Sequence, residues 1–428
     1  MEHALGTDSS ESRVVIIGGG VIGAACAYYL ARTGAEVTII DRGRFGGACS
    51  HGNCGFVAPS HILPLCQPGA VWSTLKSMCH WNSAFSIRLR FDPRLWSWLL
   101  QFAMKCNRHH MLAAGHARQA LLESAKTLYE QFIAGGDLTE CDWHTDGLLF
   151  VHASERSFEH YCGVDQMLQR EFGLAAVPYA GAALNELEPA LKSGFGGGWL
   201  YECDAHLRPD QLMSAWRRLL TTHRVSLQEN CELLSFSNQD GRATEILTST
   251  GVMKAEQFVV ATGAWSPLLA KQLQTCLPIQ PGKGYSLTMP RPTLCPKHPL
   301  IFEEHHVAIT PMTAGYRIGS TMEFAGYDSR IREERLKLLI NGAKHYLREP
   351  LADPIQERWQ GWRPMSVDGI PMIGRVPGLE NVWVATGHSM LGVSMGPSTG
   401  KLVAELISGQ TPHIDPHPYR LERFLRTR

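Results

Sequence analysis

The sequence predicts an α/β protein of two interleaved lobes, one of them a Rossmann-like dinucleotide-binding lobe and the other built on a mixed β-sheet. A strand–glycine turn–helix–strand unit lies at residues 14–41, and a second strand–glycine loop–helix unit lies at residues 381–409. Strand-rich sequence separates the two units. At 428 residues the chain is long for one hydrophobic core, so two lobes are expected.

The first unit carries the fingerprint of a dinucleotide site. Its apolar residues 14–17 suit a buried parallel strand, and Gly18, Gly20 and Gly23 then form a G-x-G-x-x-G. The first glycine allows a tight turn, the second lets the backbone approach a pyrophosphate, and the third lets the helix pack on the strand. Residues 24–32 continue as a helix whose N-terminal amides would face the phosphates.

An acid follows the second strand of this unit. Asp41 comes directly after residues 37–40, where a carboxylate accepts hydrogen bonds from a ribose 2′-hydroxyl. The three glycines alone could form an ordinary glycine-rich turn. Because they occur together with the strand, the helix, the second strand and the acid, a dinucleotide site explains them better. The fingerprint does not choose between NAD and FAD, and the neighbouring Arg42 keeps an NADP site open.

Composition excludes several classes of protein. The chain is 44% apolar and has a formal net charge of zero, so it is globular and has no electrostatic case for nucleic-acid binding. Its twelve cysteines contain no C-x-x-C pair, which excludes a disulfide framework and a zinc ribbon. The first thirteen residues are polar and acidic, unlike a signal peptide, and the apolar stretch after them is interrupted by glycines. We expect a cytoplasmic protein.

Three further segments bear on the cofactor. Residues 46–61 form an irregular loop of small and polar residues that could run along a bulky cofactor, which a nicotinamide-only dehydrogenase does not need. Residues 259–265 form a strand that ends at Thr262 and Gly263, where backbone would approach a nucleotide. Residues 359–374 hold a single arginine, Arg363, in apolar and aromatic surroundings.

The last unit favours a flavin. A strand at residues 382–385 leads into a glycine-punctuated loop at residues 387–392, and we expect a helix to begin near Ser394 or Gly396. A helix N-terminus presents free amides and a partial positive charge. Reduced flavin gathers negative charge at N1 and the C2 carbonyl, so such a helix end would stabilise the reduced form.

Six motifs make the chain similar to a known family. They are GGGVIG, the S-x-x-N-x-G of SHGNCG, EPAL, PGKGYSLTMP, WRPMSVDGIPMIG and TGHSMLGVSMGPSTGKLVAELISG, between residues 14 and 409. With them the chain resembles the FAD-dependent amine and D-amino-acid oxidoreductases, which include D-amino-acid oxidase and glycine/sarcosine oxidase, and most closely the D-amino-acid dehydrogenases. The resemblance implies a two-lobed FAD-binding domain, Rossmann-like and of the glutathione-reductase type, with an interleaved substrate domain. It also implies FAD and oxidation of an amine carbon next to a carboxylate.

The expected FAD-binding domain comprises residues 1–62, 203–275 and 360–428, and the expected substrate domain comprises residues 63–202 and 276–359. Carried over by position, the resemblance implies cofactor contacts along the whole FAD. For the ADP half they are Gly18, Gly20, Val21, Ile22, Gly23, Asp41 and Arg42; for the flavin ring and ribityl chain, Ser50, Asn53, Gly55 and Phe56; for the adenine side, Thr262 and Gly263; and for the pyrimidine edge, Gly387, Leu391, Gly392 and Val393.

Arg363 falls where the family commonly carries an arginine that pairs with the substrate carboxylate, and it is also counted among the cofactor contacts. A guanidinium matches a carboxylate bidentately, although a structural arginine bound to backbone carbonyls is the alternative. His388, His61 and Tyr285 could also face the flavin as catalytic residues. Relatives with covalent flavin carry a histidine near His51, but His51 is one position away from the alignment, so non-covalent FAD is favoured.

No metal site is expected. The doublets His109–His110 and His305–His306 lack the spacing of metal ligands.

The leading functional hypothesis is FAD-dependent dehydrogenation or oxidative deamination of a small D-amino acid, with hydride transfer from Cα to flavin N5. A D-configured cyclic amino acid such as cis-4-hydroxy-D-proline is included. A glycine/sarcosine-type oxidase that releases hydrogen peroxide is the alternative within the same fold. A nicotinamide-dependent dehydrogenase, or a nucleotide-binding interaction protein, would leave the loop at Ser50 and the final helix unexplained.

The sequence contains no second redox motif that would identify the electron acceptor. Oxygen, a quinone and another component of an electron-transport chain all stay possible acceptors. Residues 91–106 form a tryptophan-bearing helix too short to cross a bilayer. It is either a core helix or a face that rests on a membrane or a partner. Basic neighbours would suit anionic lipid, so we predict peripheral association with the inner membrane. These neighbours are Arg88, Arg90, Arg94, Lys105 and Arg108.

Overall fold

The computed structural model describes residues 12–72, 84–88 and 90–425. The helices are α1 (Val21–Arg32), α2 (Pro93–Lys105), α3 (Arg108–Ala134), α4 (Glu155–Phe172), α5 (Ala182–Leu187), α6 (Pro209–Thr222), α7 (Ser266–Leu269), α8 (Glu333–Tyr346) and α9 (Gly392–Ile407). The first ten strands are β1 (Arg13–Ile17), β2 (Glu36–Ile40), β3 (Phe56–Val57), β4 (Phe85–Ile87), β5 (Leu148–His152), β6 (Val177–Tyr179), β7 (Gly197–Tyr201), β8 (Ala205–His206), β9 (Ser226–Gln228) and β10 (Leu233–Gln239). The others are β11 (Arg242–Thr248), β12 (Gly251–Lys254), β13 (Gln257–Val260), β14 (Ile279–Met289), β15 (Leu300–Phe302), β16 (Val307–Met312), β17 (Gly315–Phe324), β18 (Glu357–Ser366), β19 (Met372–Arg375) and β20 (Val382–Thr386).

The first large sheet has the strand order β19–β20–β13–β1–β2–β9 and is parallel except for β19. Helices α1, α3, α6 and α9 cover one face, and the antiparallel sheet β10–β11–β12 covers the other. Because both faces are covered, β1 is apolar and buried from Val14 onward. Helices α1 and α9 approach closely at Gly400, where an added Cβ would lie 2.4 Å from the Ala25 carbonyl carbon.

The second large sheet is mixed and has the strand order β18–β14–β17–β16–β15–β5–β7–β6, with β4 paired to β17. Strands β5 and β15 are parallel, as are β4 and β17, and the other pairs are antiparallel. Side chains of β14 alternate: Tyr285 and Leu287 pack in the core beneath α8, whereas Ser286 faces the loop after β2. The α/β class with an interleaved mixed sheet is therefore confirmed, while the domain boundaries stay a prediction.

Helix α9 begins at Gly392, earlier than the expected start near Ser394 or Gly396. Pro397 lies inside the helix and has no N–H to donate to the carbonyl of Val393. The hydroxyl of Tyr129 donates to that carbonyl instead, at 2.8 Å. This bond explains how the helix can start before its proline.

Helix α2 has two different faces. Leu95 and Trp98 are buried, and Trp98 Nε1 donates to the carbonyl of Met365 at 3.2 Å. Trp96 and Leu100 are 49% and 65% exposed. Trp96 and Trp98, the two tryptophans of this helix, thus have opposite environments. No helix in the described part of the chain is long and apolar enough to span a membrane.

Candidate functional site

A cavity of about 720 Å³ lies between the carboxyl ends of β1, β2, β13 and β20 and the edge of the mixed sheet. This is the usual ligand position in an open parallel sheet, because the loops after the strands diverge there. Most of the residues predicted to bind the cofactor line this one cavity. They are Gly18, Gly20, Val21, Ile22, Asp41, Arg42, Ser50, Asn53, Thr262, Gly263, Arg363, Gly392 and Val393, and His388 joins them.

The turn between β1 and α1 requires its glycines. Gly18 has a φ of +116°, and a Cβ there would lie 2.5 Å from the carbonyl oxygen of Ala261. Gly23 does not line the cavity, and a Cβ on it would lie 1.9 Å from the carbonyl oxygen of Gly18. Gly23 thus lets α1 pack against the end of β1, which brings the helix N-terminus to the cavity.

Two helix N-termini face the same cavity. The first amide of α1, on Val21, donates to Ser50 Oγ at 3.0 Å, so the Ser50 hydroxyl proton remains free to donate to a ligand. No side chain in the part of the chain that the structure describes caps α9, and Gly392 and Val393 of its first turn line the cavity. Both ends carry partial positive charge, so the cavity suits a ligand with negative charge at two places.

Asp41 and Arg42 stand at one end of the cavity. The Asp41 carboxylate accepts from the amides of Gly19 at 2.7 Å and Gly43 at 2.8 Å, one at each oxygen. Each oxygen retains a lone pair, which a ribose hydroxyl can use. The guanidinium of Arg42 lies 4.1 Å from the ring centroid of Trp265, so it is held by a cation–π contact.

The loop after β2 contributes Ser50 and Asn53 to the wall. Gly55 and Phe56 lie behind it: Gly55 donates its amide to Asn53 Oδ1 at 2.7 Å, and its Cβ would lie 1.9 Å from the carbonyl oxygen of Leu207. Gly387, in the turn after β20, and Leu391, the N-cap of α9, also lie behind the wall. These four residues do not line the cavity themselves.

Sequence reasoning missed Arg317, which holds that loop in place. Its side chain is 1% exposed, and one guanidinium nitrogen donates to the carbonyls of Asn53 at 2.7 Å and His51 at 3.2 Å. Its Nε donates to Thr288 at 3.0 Å. A lone arginine in the apolar strand GYRIGST was the available signal, because a charge in a buried strand needs specific partners.

Arg363 reaches the cavity from β18, opposite Gly282 of β14. Its guanidinium packs over Gly284, where a Cβ would lie 2.5 Å from Arg363 Cζ, so this side chain requires a glycine beneath it. Burial lowers the pKa of Arg363, although a guanidinium stays charged. One nitrogen donates to the carbonyl of Thr321 at 2.6 Å, and no ion pair within the described residues involves Arg363.

A β-bulge in β17 orients the Thr321 carbonyl toward Arg363. The register between β14 and β17 shifts where Lys283 pairs with Glu323 and Tyr285 pairs with Ser320, which leaves one extra residue in β17. Ser320 and Thr321 have φ values of +107° and +50°, a region that non-glycine residues rarely adopt. The strained bulge fixes Arg363 and leaves the rest of its hydrogen-bonding fork for a ligand.

The three other catalytic candidates lie in different places. His388 lines the cavity, but its Nε2 lies 2.9 Å from Thr399 Oγ1 and burial lowers its pKa to about 3. Tyr285 lies on the opposite face of the mixed sheet from Arg363, where its hydroxyl donates to Glu323 at 2.7 Å. His61 lies outside the cavity wall, and burial lowers its pKa to about 4. Arg363 is therefore the candidate that the geometry supports.

His388→Gln should change kcat/KM by less than about tenfold and leave the acidic limb of its pH profile in place. With a pKa of about 3, the imidazole is neutral across the working pH range, so it has no proton to gain or lose there. The glutamine amide can still reach Thr399. Loss of a pKa from the profile, with the flavin still bound, would show instead that His388 exchanges a proton.

His51 does not line the cavity. Its Nε2 lies 2.7 Å from Glu357 Oε1, and this hydrogen bond raises the pKa of His51. The ring is therefore occupied on the outer side of the loop. This geometry supports non-covalent binding of a flavin.

The shape and chemistry of the cavity fit a flavin dinucleotide. The glycine turn and the α1 N-terminus suit a pyrophosphate, Asp41 suits a ribose, and the uncapped α9 N-terminus suits an electron-rich ring. Fold and site together define a flavin-dependent oxidoreductase.

The chain belongs to the FAD dependent oxidoreductase (DAO) family, whose model matches residues 13–406. It is 32% identical to the D-amino acid dehydrogenase of Paramagnetospirillum magneticum over 431 residues, which cover 96% of this chain and 99% of that protein. It is also 32% identical to the D-amino acid dehydrogenase of Granulibacter bethesdensis over 424 residues, with the same coverage. The protein is thus an FAD-dependent, D-amino acid dehydrogenase-like oxidoreductase, and the predicted family and cofactor are confirmed.

Solved structures agree with the fold. Glycine oxidase from Geobacillus kaustophilus superposes with a TM-score of 0.78 at 21% identity, covering 97% of this chain and 100% of that one. At this identity the similarity concerns the fold alone.

Proposed function

We propose that the protein oxidises the α-amine of a small D-amino acid, a D-configured cyclic amino acid included, and passes the electrons to an acceptor other than oxygen. The observation that carries this proposal is Arg363, a charged guanidinium that lines the cavity without a carboxylate partner in the described residues. An amino-acid carboxylate matches its fork. The two D-amino acid dehydrogenases that share 32% identity along nearly the whole chain support the choice of substrate class.

Residues on three elements would hold the cofactor. The turn at Gly18 and Gly20 and the α1 N-terminus would bind the pyrophosphate, Asp41 the ribose, and the α9 N-terminus the flavin pyrimidine edge. FAD supplies a two-electron oxidant that accepts the Cα hydride. The α9 N-terminus would place its free amides and partial positive charge at the pyrimidine edge, and because the helix fixes these amides they need no reorganisation.

Arg363 orients the substrate. Its fork fixes the carboxylate, which places Cα and the amine at a set distance from the ring and converts binding energy into alignment. The amine must be neutral so that its lone pair assists as the Cα–H bond breaks. Residues 360–364 contribute one ionisable group to the wall, Arg363 itself, and a guanidinium stays protonated, so it cannot accept the proton of the amine. The imine product is hydrolysed in water to a keto acid and ammonia, or stays cyclic when the substrate is cyclic.

The test is anaerobic reduction of the FAD-loaded protein. Matched D- and L-amino acids, glycine and sarcosine are added separately, and the flavin absorbance is followed. Bleaching by D-amino acids, with slow recovery in air and fast recovery with an artificial quinone, is the expected result. Bleaching by glycine or sarcosine with stoichiometric peroxide release would establish the oxidase alternative, and bleaching by L-enantiomers alone would refute the proposed configuration.

We further propose that electrons leave at the inner face of a membrane, where the exposed face of α2 rests. Phe91, Trp96, Leu100 and Met104 present apolar surface there. The charge contribution is smaller than the sequence suggests, because ion pairs already engage Arg88, Arg90 and Arg108. Arg94 and Lys105, which form no ion pair within the described residues, remain to face anionic lipid.

Trp96→Ala combined with Leu100→Ala should weaken co-sedimentation with anionic liposomes about tenfold, because both side chains are exposed and would enter the interface. Trp98 is not a suitable target, since it belongs to the core. Leu234→Ala, at a 49% exposed leucine on β10, is the matched control and should bind like the parent protein. An equal loss in the control, or no co-sedimentation of the parent, would exclude this role for α2.

A further inference from the structure

A cluster of two histidines and one aspartate lies outside the cavity. His144 and His206 form an antiparallel bridge in which each amide donates to the other residue's carbonyl at 2.9 Å. Their rings stack with centroids 4.9 Å apart. Asp146 follows in the same segment, and the nearest ligand atoms of the three side chains all lie within 4.8 Å of one another. Residues far apart in the sequence thus converge on one point.

The Nε2 atom of each ring is hydrogen bonded to an acceptor. His206 Nε2 lies 3.0 Å from the carbonyl oxygen of Pro311, and a carbonyl can only accept, so Nε2 carries the proton. His144 Nε2 lies 3.0 Å from Asp142 Oδ1, which Thr313 also contacts. In their neutral forms both rings therefore present an unprotonated Nδ1. Acceptors behind histidine ligands are the usual support of a metal site.

The Nδ1 atom of His206 accepts no hydrogen bond from any described residue. His206 is 2% exposed, so this nitrogen is buried. A buried lone pair without a partner is costly, so its presence calls for an explanation. His144 Nδ1 lies 3.8 Å from Asp146 Oδ2, too far for a hydrogen bond. A cation between the three groups would satisfy all of them.

We propose that His144, Asp146 and His206 bind a divalent transition-metal ion such as Zn²⁺, with water in the remaining position. Two imidazoles and a carboxylate suit Zn²⁺ and its neighbours, whereas Mg²⁺ and Ca²⁺ prefer oxygen ligands alone. Ligands of a tetrahedral zinc lie about 3.4 Å apart, so the site closes when the half-exposed Asp146 side chain swings inward.

The sequence predicts no metal site, so this proposal differs from that expectation. The position of the site indicates its role. None of the three ligands lines the cavity. His206 belongs to β8, which pairs with β3 directly after the loop that carries Ser50 and Asn53. The segment with His144 follows the 3₁₀ turn Thr139–Cys141. The ion would join these two segments and stabilise the fold beside the cofactor, without taking part in substrate oxidation.

The experiment uses the FAD-loaded protein after removal of metals with a chelator. Zinc sulfate is titrated calorimetrically, and thermal unfolding is recorded with and without Zn²⁺. One equivalent should bind and raise the Tm by several degrees, while magnesium chloride should give neither effect. Asp146→Asn and His144→Gln, at positions exposed enough to preserve folding, should each weaken zinc binding at least about tenfold.

His109→Gln is the matched control, because His109 is an exposed histidine outside the cluster and its loss should leave zinc binding unchanged. Zinc binding that is absent, or that both cluster variants retain at parental affinity, would overturn the site. Flavin reduction by substrate is measured in the same samples. Because the ion does not contact the cavity, failure of the metal site would leave the proposed oxidation untouched.

Discussion

Arg363→Ala should lower kcat/KM for the amino-acid substrate by about 100-fold or more while the protein keeps its full complement of FAD. Removing one partner of a buried, charge-assisted pair costs about 2–5 kcal/mol, and the loss falls on substrate binding. The guanidinium rests on Gly284 and the Thr321 carbonyl, and the residues expected to hold the pyrophosphate and ribose lie on other elements, so FAD should stay bound. The measurements are steady-state kinetics and the flavin absorbance spectrum of the purified variant.

Arg363→Lys separates charge from geometry. A lysine keeps a positive charge but offers no planar fork, so we expect part of the affinity to return and the alignment to remain poor. KM should recover more than kcat. Unchanged turnover of Arg363→Ala at low substrate concentration would refute the role of this arginine in carboxylate binding and leave it as a structural residue.

Gly23→Ala should reduce the FAD content of the purified protein to below about a tenth of the parental value and lower its Tm. The new Cβ would lie 1.9 Å from the Gly18 carbonyl oxygen, and backbone cannot move aside as a flexible side chain can. The α1 N-terminus would be pushed away from the end of β1, which separates its amides from the pyrophosphate. Flavin absorbance per protein and a thermal melt measure both effects.

Gly163→Ala is the matched control for that substitution. Gly163 lies within α4, where an added Cβ would meet no described atom within 4 Å beyond its chain neighbours and the backbone of its own helix, so alanine should raise helix stability slightly and leave FAD content unchanged. A Gly23→Ala protein with stoichiometric FAD and the parental Tm would show that α1 adjusts its packing and that the fingerprint tolerates a larger residue.

The sequence predicted the nucleotide lobe well because its signals are local. The positive φ of Gly18 and the contact of Gly23 with its own turn are consequences of residues that follow one another closely, and the acid at Asp41 comes at the end of the next strand. The strand, glycine loop and helix of the last unit were predicted from equally local signals. Only the start of α9 differs from the prediction, because Tyr129, distant in the sequence, donates to the carbonyl that Pro397 leaves free.

The mixed sheet shows where local signals end. Period-two alternation already separates Gly284 from Tyr285, but it does not say which face meets the cofactor. Packing under α8 places Tyr285 away from the cavity and brings Arg363 over Gly284. Arg317 was missed for the same reason, since its partners lie in a loop that follows β2.

The sequence by itself thus determined the class of fold and the cofactor family, and most of the cofactor residues selected from it line the cavity, because each depends on short-range backbone geometry. Tertiary structure alone decided which tryptophan of α2 is exposed, that Arg317 holds the loop after β2 and that His144 meets His206. These facts depend on contacts between segments that are distant in the sequence. The free energy of such contacts comes from burial and hydrogen bonding, which arise only when the segments meet, so no single segment predicts them.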